Sequence, residues 1–356
     1  MDASRAPSRP DLSRPYPLRA SFVTLWLGLL LVASVTLGTA VGVVQLPFFD
    51  TLWVIVAKSL RLPVELDPSR SAIIWSVRLP RVIVAGLVGF SLAASGAAMQ
   101  GLFRNPLADP GIVGVSSGGS LGAVIAIFLQ LELGHGWWVP GFAFAGALLA
   151  SWLAYALATR GGRTDTATLL LAGVAISSLF GAVISLLYHF VDDGVLRQIV
   201  YWLMGNLAGK RWEHVTLASP FVLVGTIGLM LLARELNIMS SGEEDARALG
   251  VPVERVKRAT LVFVSLSTGA AISITGMIGF VGLIVPHMLR LLIGPDHRWL
   301  IPTSGLLGAS FLILCDVIAR TAFAPIELRT GIVTAIFGVP FFLYLLTRRR
   351  EMVEWH

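Results

Sequence analysis

The sequence predicts an all-α, polytopic membrane protein with about ten transmembrane helices. Hydrophobic residues make up 55% of its 356 residues and charged residues only 13%, proportions outside the usual range of a soluble domain. The mean hydropathy is +0.79. Because a helix needs about 20 apolar residues to cross a bilayer, the chain has room for on the order of ten spans and little room for a soluble domain.

Apolar runs bounded by charged residues, Pro or Gly place the helices in chain order. They cover residues 21–45, 81–103, 111–131, 137–158, 167–190, 214–233, 259–275, 279–292, 301–320 and 330–347. Gly and Pro are tolerated in membrane helices, so we expect some of these segments to be broken. Two connections also predict helices. Residues 46–80 contain a short helix at the outer surface, and 191–213 contain a re-entrant or interfacial helix with Tyr201, Trp202 and Trp212 at headgroup depth.

The distribution of positive charge predicts the topology. We expect a cytoplasmic N-terminal tail (1–20), one transmembrane domain (21–347) and a cytoplasmic C-terminal tail (348–356), because both tails are rich in arginine and cytoplasmic segments retain positive charge. The net charge of +6 is explained in this way and does not indicate nucleic-acid binding. The basic residues expected on the outer side against this trend include Arg78, Arg81, Arg320 and Arg329.

The longest cytoplasmic loop, 234–260, is predicted to form two short helices joined by a glycine. Ser241 followed by Glu244 matches a capping box, and Gly250 with the proline after it supplies a stop and a restart. Helices of about nine residues are not stable alone in water, so something must pack against them. They either pack on the protein's own inner face or dock a cytoplasmic subunit.

Residues 104–120, RNPLADPGIVGVSSGGS, contain a G-x-S-x-G pattern around Ser116. A nucleophilic serine in this pattern needs a strand, a sharp turn and a helix on an α/β sheet, which this sequence does not predict. An intramembrane serine hydrolase would need a histidine partner, and the candidates His189 and His287 fall near opposite faces of the topology. Small residues that let helices approach closely are the simpler explanation.

Other functions find little support in the sequence. A lone cysteine, Cys315, excludes a disulfide within the chain, and no metal-ligand spacing is present. The stretch GNLAGKR departs from a phosphate-binding loop, so nucleotide must be bound elsewhere. An ion-coupled secondary transporter remains an alternative, although no acidic residue lies mid-membrane as a coupling site. Asp316, near an outer end, can offset the charge of Arg320 four residues later.

Seven segments together resemble one family, the permease subunits of type II ABC importers for iron chelates, haem and cobalamin. They are SVRLPRVIVAGLVG, RNPLADPGIVGVSSGG, LLLAGVAISS, LRQIVYWLMGNLAG, SGEEDARALG, GFVGLIVPHMLRLLIGPDHR, and DVIAR with ELRTGIVTAIFGVPFFLYLL. The resemblance implies a ten-helix permease in the bacterial inner membrane that pairs with a second copy around a translocation path. It also implies two cytoplasmic ATPase subunits and a periplasmic substrate-binding protein.

The resemblance further implies roles for individual residues. It implies that the binding protein docks on Arg78, Arg81 and Arg320. Coupling to the ATPase falls to Ser241, Gly242, Glu243, Glu244, Arg247, Leu249 and Gly250. The cytoplasmic gate falls to Asn105, Leu107 and Thr166.

The chain itself is then expected to hold no catalytic residue, metal or cofactor, since ATP-Mg belongs to the partner ATPase. The cargo is expected to be haem or a ferric siderophore, with cobalamin as an alternative, because the overall resemblance is to haem-type members. Residues that could contact a flat aromatic ligand are Met99, Met204, Met277, Met288, Tyr188 and His189, although such residues more often pack in a core. At Arg329, in ELRTG, the chain departs from the family's commonest pattern, which has an uncharged residue there.

Overall fold

The computed structural model describes residues 16–42, 46–63 and 67–353, and this part of the chain is almost entirely helical. Of the predicted tails, residues 1–15 and 354–356 lie outside the described ranges. The helices are α1 (Tyr16–Ala40), α2 (Phe48–Ser59), α3 (Pro68–Ala72), α4 (Leu79–Leu102), α5 (Val115–Phe128), α6 (Trp138–Ala158), α7 (Thr166–Leu187), α8 (Asp193–Leu203), α9 (Trp212–Leu231), α10 (Ala233–Met239), α11 (Glu243–Ala248), α12 (Val253–Thr275), α13 (Val281–Ile293), α14 (His297–Thr321) and α15 (Thr330–Val353). An antiparallel hairpin of β1 (Thr159–Arg160) and β2 (Arg163–Thr164) connects α6 to α7.

Ten apolar helical segments in the described ranges match the predicted number of spans. Seven are long and apolar enough to cross a membrane, namely α1, the continuous segment from α3 to α4, α6, α7, α9, α12 and α14. Three are shorter, namely α5, α13 and the first part of α15. The predicted connecting helices are also present as α2 and α8. The α5 helix begins later than the apolar run because residues 110–113 form a 3₁₀ turn that ends at Gly114, whose φ is +88°.

The helices run up and down between two ends of the molecule, which we name the arginine end (Arg78, Arg81 and Arg320) and the hairpin end (β1, β2 and α11). α4 leads from the arginine end to the hairpin end, whereas α12 and α14 lead back. α1 finishes at the arginine end, where the carbonyl of Ala40 accepts a 2.8 Å hydrogen bond from Arg78 Nη1. α15 starts there beside α14. The beginning of α1 and the end of α15 therefore both lie away from the arginine end.

Glycines permit the closest helix contacts. α4 packs against α14 and α12, and α5 packs against α6. A Cβ added at Gly89 would collide with the carbonyl of Gly308, and one at Gly118 would collide with the carbonyl of Gly146. Without a hydrophobic driving force in lipid, small residues of this kind bring helix backbones into contact. The small residues around Ser116 have the packing role that the sequence predicted.

The loop 234–260 differs from its prediction in how its helices begin. The expected capping box at Ser241 is wrong, because Gly242, with φ +139°, is the N-cap of α11 and no side chain caps that helix. The two short helices are α10 and α11, so the residues that join them include Gly242 rather than Gly250. Gly250, with φ +80°, does end the segment. The restart after Pro252 is the spanning helix α12, not a second short helix.

Candidate functional site

A cavity of about 1010 Å³ opens on one side of the chain. Its walls come from the turn before α5, the end of α8, the loop before α13 and the first half of α15, and most of them are apolar. Met204 and Met277 line it, whereas Met99 is fully buried in the core. Two of the six suggested ligand-contacting residues are thus placed where a large apolar molecule could touch them.

Among the described residues that line this wall, Asp109 is the one with an ionisable side chain. Its Oδ1 accepts a 2.8 Å hydrogen bond from the backbone N–H of Gly111, as expected of a cap for the turn that follows. Burial raises the pKa of the Asp109 carboxyl, and the Gly111 hydrogen bond opposes that rise only in part. Ser116 also lines the cavity.

The predicted gate residues lie at two places. Asn105 and Leu107 belong to the turn after α4, where Asn105 Oδ1 accepts a 3.0 Å hydrogen bond from the Leu107 N–H. Thr166 is the first residue of α7, and its hydroxyl donates a 2.9 Å hydrogen bond to Glu243 Oε1. The structure therefore joins a predicted gate residue directly to a predicted coupling residue.

Glu243 belongs to a charged network that ties α11 to the hairpin. Its Oε1 lies 2.7 Å from the ammonium of Lys257, and that ammonium, with the Lys257 side chain only 2% exposed, donates a 2.6 Å hydrogen bond to the carbonyl of Thr164. Glu254 Oε2 accepts a 2.8 Å hydrogen bond from the Thr164 N–H. Arg247 lies 3.1 Å from Glu243 and 3.2 Å from Glu254.

The hydrogen bonds in this network have an electrostatic consequence. Burial by itself raises the pKa of Glu243, but the bonds from Lys257 and Thr166 outweigh it, so the pKa is lowered. The carboxylate form is therefore favoured. Lys257, Glu254 and Thr164 were not predicted as site residues, and their only sequence signal was the i,i+3 spacing of Glu254 and Lys257.

The other predicted coupling residues present an exposed surface at the hairpin end. Ser241, Glu244 and Gly250 are exposed, and Leu249 is 72% exposed. The ATPase-coupling role that the resemblance implies for these residues stays a prediction.

The three predicted docking arginines meet at the arginine end. Arg81 makes a bidentate contact with Asp316, with Nε 3.0 Å from Oδ2 and Nη2 3.0 Å from Oδ1, and its Nη1 lies 3.0 Å from Glu327. The predicted pair of Asp316 and Arg320 is present at 3.7 Å. Arg320 also donates a hydrogen bond to the carbonyl of Gly38.

All three arginines are largely buried. Two carboxylates stand against three guanidinium groups in this cluster, so it retains positive charge. The arginines thus have a structural role in holding α1, α4 and α14 together. The sequence indicated such a role only for Arg320, through its pairing with Asp316.

The environment of Ser116 does not support a nucleophile. Among the described residues, no hydrogen bond joins its hydroxyl to a histidine, and the ring Nδ1 of His189 instead lies 3.1 Å from the carbonyl of Ser185. The described chain contains only the two-stranded hairpin as sheet. The strand and turn that a G-x-S-x-G nucleophile requires are therefore absent from the described part.

Comparison with known proteins gives a consistent result. The profile of the FecCD transport family matches residues 30–348. The chain belongs to the FecCD transport family. It is a permease subunit of a type II ABC importer, an all-α, multi-pass membrane protein.

Relatives in this family carry different cargo names. The chain is 51% identical over 327 residues to the cobalamin import system permease protein BtuC of Halobacterium salinarum, covering 90% of this chain and 85% of that protein. It is 41% identical over 341 residues to the hemin transport system permease protein HmuU of Yersinia pestis, covering 92% and 96%. A solved structure described as a metal-chelate type ABC transporter in an inward-facing conformation superposes with a TM-score of 0.81 at 33% identity, covering 92% of this chain and 99% of that one.

Proposed function

We propose that this permease subunit carries haem or a ferric siderophore from the periplasm to the cytoplasm, driven by ATP hydrolysis in separate subunits. The observation that carries the proposal is the apolar cavity of about 1010 Å³ with two methionines on its wall, since cavities for such ligands are mostly apolar with few polar groups. The relative named for hemin transport supports the same cargo class.

Cobalamin is the second candidate cargo. The relative named for cobalamin import is 51% identical, and a corrinoid is also a large, flat, metal-containing macrocycle. An apolar cavity of this size does not separate the two by itself, so transport must decide.

Host cells with and without this chain should therefore be compared for uptake of ⁵⁵Fe-haemin, a ⁵⁵Fe-siderophore and ⁵⁷Co-cyanocobalamin. We expect deletion to abolish uptake of an iron cargo and re-expression to restore it. Loss confined to cyanocobalamin would replace the proposed cargo with the second candidate. Uptake that is independent of ATP in the wild type would contradict the importer mechanism itself.

The side on which each end lies follows from charge. The hairpin end exposes Arg104, Arg160, Arg163, Arg255 and Arg258, and positive charge accumulates on the cytoplasmic side of membrane proteins. We therefore assign the hairpin end to the cytoplasm, where it meets two ATPase subunits, and the arginine end to the periplasm, where its excess positive charge meets acidic residues of a substrate-binding protein. Complementary charge of this kind mainly sets orientation and encounter rate.

The charged network supplies a route from the ATPase to the gate. The exposed surface of α11 docks the ATPase, and any displacement of α11 reaches Thr166 through Glu243 and reaches the hairpin through Lys257. Each link is a hydrogen bond of 2.6–2.9 Å, so the segments move together. On this account the first turn of α7 follows the ATPase cycle.

A further inference from the structure

A second cavity, of about 320 Å³, lies near the arginine end and has a different character. It is bounded by the start of α6, the end of α8, the start of α9 and the end of α12. Its location follows from Trp212, whose indole N–H donates a 2.9 Å hydrogen bond to the carbonyl of Trp75, close to Arg78 in the chain. We name it the cation pocket for Lys210, His214 and Arg329.

Of the described residues that line the cation pocket, three are basic and none is a carboxylate. The imidazole of His214 is mostly uncharged at neutral pH, so the positive charge of the pocket comes from Lys210 and Arg329. Among the described residues, neither Lys210 nor Arg329 forms a salt bridge, although ion pairs occur elsewhere at this end. Burial lowers the pKa of Lys210 to about 8. Among the described residues, no ion pair offsets the cost of desolvating this ammonium.

Arg329 is held in place without being neutralised. Its guanidinium carbon lies 4.4 Å from the centre of the Tyr201 ring, a cation–π contact that orients the group but leaves its N–H donors available. The departure from the family pattern at Arg329 thus puts an additional charge on the wall of this pocket. Neutral donors and acceptors from Gln198 and Asn206 also line the pocket.

The cation pocket adjoins the large apolar cavity. Tyr201 and Trp202 line the first, and the next two residues of the chain line the second. Likewise, Thr275 and Arg329 line the cation pocket, whereas Met277 and Gly331, each two residues further along the chain, line the apolar cavity. A molecule held in the apolar cavity could therefore extend a substituent into the cation pocket.

We propose that the cation pocket binds an oxyanion of the cargo, a carboxylate or a phosphate, while the apolar body of the cargo occupies the large cavity. At about 320 Å³ the pocket suits a charged substituent better than a macrocycle. Arginine and lysine are the side chains that best bind such groups. This inference rests on the proposed import function and specifies the chemistry of its cargo.

The test measures binding to the full chain in lipid nanodiscs, without a binding protein, by quenching of tryptophan fluorescence. The probes are haemin, haemin dimethyl ester, which lacks the two carboxylates, ferric citrate, and cyanocobalamin, which carries a phosphodiester. The variant is Lys210→Gln with Arg329→Gln. The matched control is Arg197→Gln, an exposed cation on α8 that does not line the pocket.

We expect the wild type to bind one anionic probe, and the double variant to bind it about tenfold more weakly for each charge removed. The control should bind like the wild type, and Lys210→Arg with Arg329→Lys should restore most of the affinity. If haemin is the probe that binds, its ester should bind as weakly to the wild type as haemin binds to the double variant.

The proposal is overturned if no anionic probe binds the wild type, if the ester binds as tightly as haemin, or if the double variant binds like the wild type. An effect seen only when the binding protein is added would assign the pocket to an acidic side chain of that protein and would also overturn the proposal. ATP-dependent uptake by wild-type cells separates the two levels. If wild-type cells show no ATP-dependent uptake, the import function is wrong. If they show it and the double variant binds the probes like the wild type, only the proposal for the cation pocket is wrong.

Discussion

At the scale of single residues, an arginine at the arginine end that is predicted to dock the binding protein also stabilises the fold. Arg81 is both a predicted docking residue and the bidentate partner of Asp316, a carboxylate that is 1% exposed. A buried charge that loses its partner is strongly destabilising, because the desolvation of the remaining ion is no longer compensated. Charge reversal at Arg81 would therefore test folding before it tested docking.

Replacing Arg81→Leu should lower the free energy of unfolding by about 3–5 kcal/mol, because among the described residues Asp316 then retains only the more distant Arg320 as a cationic partner. Thermal unfolding in mild detergent measures this loss. Arg70→Leu, which removes an exposed cation on α3, is the control and should be nearly neutral. Equal unfolding temperatures for the two variants would mean that the bidentate pair contributes little.

Lys257 is a residue whose importance only its contacts reveal. Replacing Lys257→Met should lower the free energy of unfolding by about 1–3 kcal/mol, because Glu243 and the carbonyl of Thr164 both lose its ammonium. Import per ATP hydrolysed should also fall in the assembled transporter, since α11 then loses its direct link to the hairpin through Lys257 and keeps only the link through Arg247 and Glu254. Arg255→Met, exposed on the same helix, is the control. Coupled import at the wild-type ratio in Lys257→Met would refute the proposed route to the gate.

At the scale of elements, α11 illustrates a short helix that is stable because of its surroundings. Six residues cannot form a stable helix in water, yet Glu243 and Arg247 fix α11 to α12 and the hairpin. The buried Ala246 faces inward, which leaves Leu249 and Glu244 outward for a partner. A helix anchored on one side and exposed on the other is suited to transmit a movement.

Leu249→Asp or Glu244→Arg should leave folding intact and reduce ATP-driven import by about tenfold or more, a loss of about 1.4 kcal/mol in docking. Uptake in cells measures the loss of import, and the ATPase activity of the purified complex measures the loss of coupling. Arg234→Gln, exposed on α10, should behave like the wild type. If both surface variants import at the wild-type level, α11 does not dock the ATPase.

The contact between α5 and α6 depends on the absence of a side chain. Gly118→Ala should lower stability by about 1–3 kcal/mol, because its methyl group meets the carbonyl of Gly146 and the helices must separate. Gly141→Ala, on the same pair of helices, is the control, since a Cβ there has nothing within 4 Å. Thermal unfolding in detergent compares them, and a Gly118→Ala variant as stable as Gly141→Ala would show that the helices adjust freely.

At the scale of the whole molecule, the open side of the apolar cavity matters most. The α15 residues on that side include Ile336, which is well exposed. A translocation path needs walls all round, so we expect a second copy to close the cavity across α15. The dimer is thus a requirement of the proposed transport rather than an added feature.

Native mass spectrometry should detect two copies of this chain together with two copies of a smaller ATP-binding subunit. Ala335→Trp, which places a bulky side chain on the cavity wall of α15, should convert much of this assembly to single chains. Ala156→Trp, exposed on α6, should not. A two-copy particle that persists unchanged in Ala335→Trp would place the interface elsewhere.

Some properties of this protein follow from the sequence by itself. The number and order of the membrane segments could be predicted because hydropathy is a local property of about 20 consecutive residues. The motif order indicated the family, and the turn at Asp109 followed from local capping chemistry. The predicted capping box at Ser241 failed because the tertiary contacts of Glu243, not its local spacing, determine where α11 begins.

Only the tertiary structure decided which charges meet. Arg81 and Asp316 are 235 residues apart in the chain, and Lys257 meets a carbonyl 93 residues away. The cation pocket likewise combines residues of α6, α8, α9 and α12 with Arg329. Sequence patterns report neighbours within a few residues, whereas a charge in a membrane protein is stabilised by whichever partner the packing brings within about 3–4 Å. The packing of the helices therefore determines which charged groups pair.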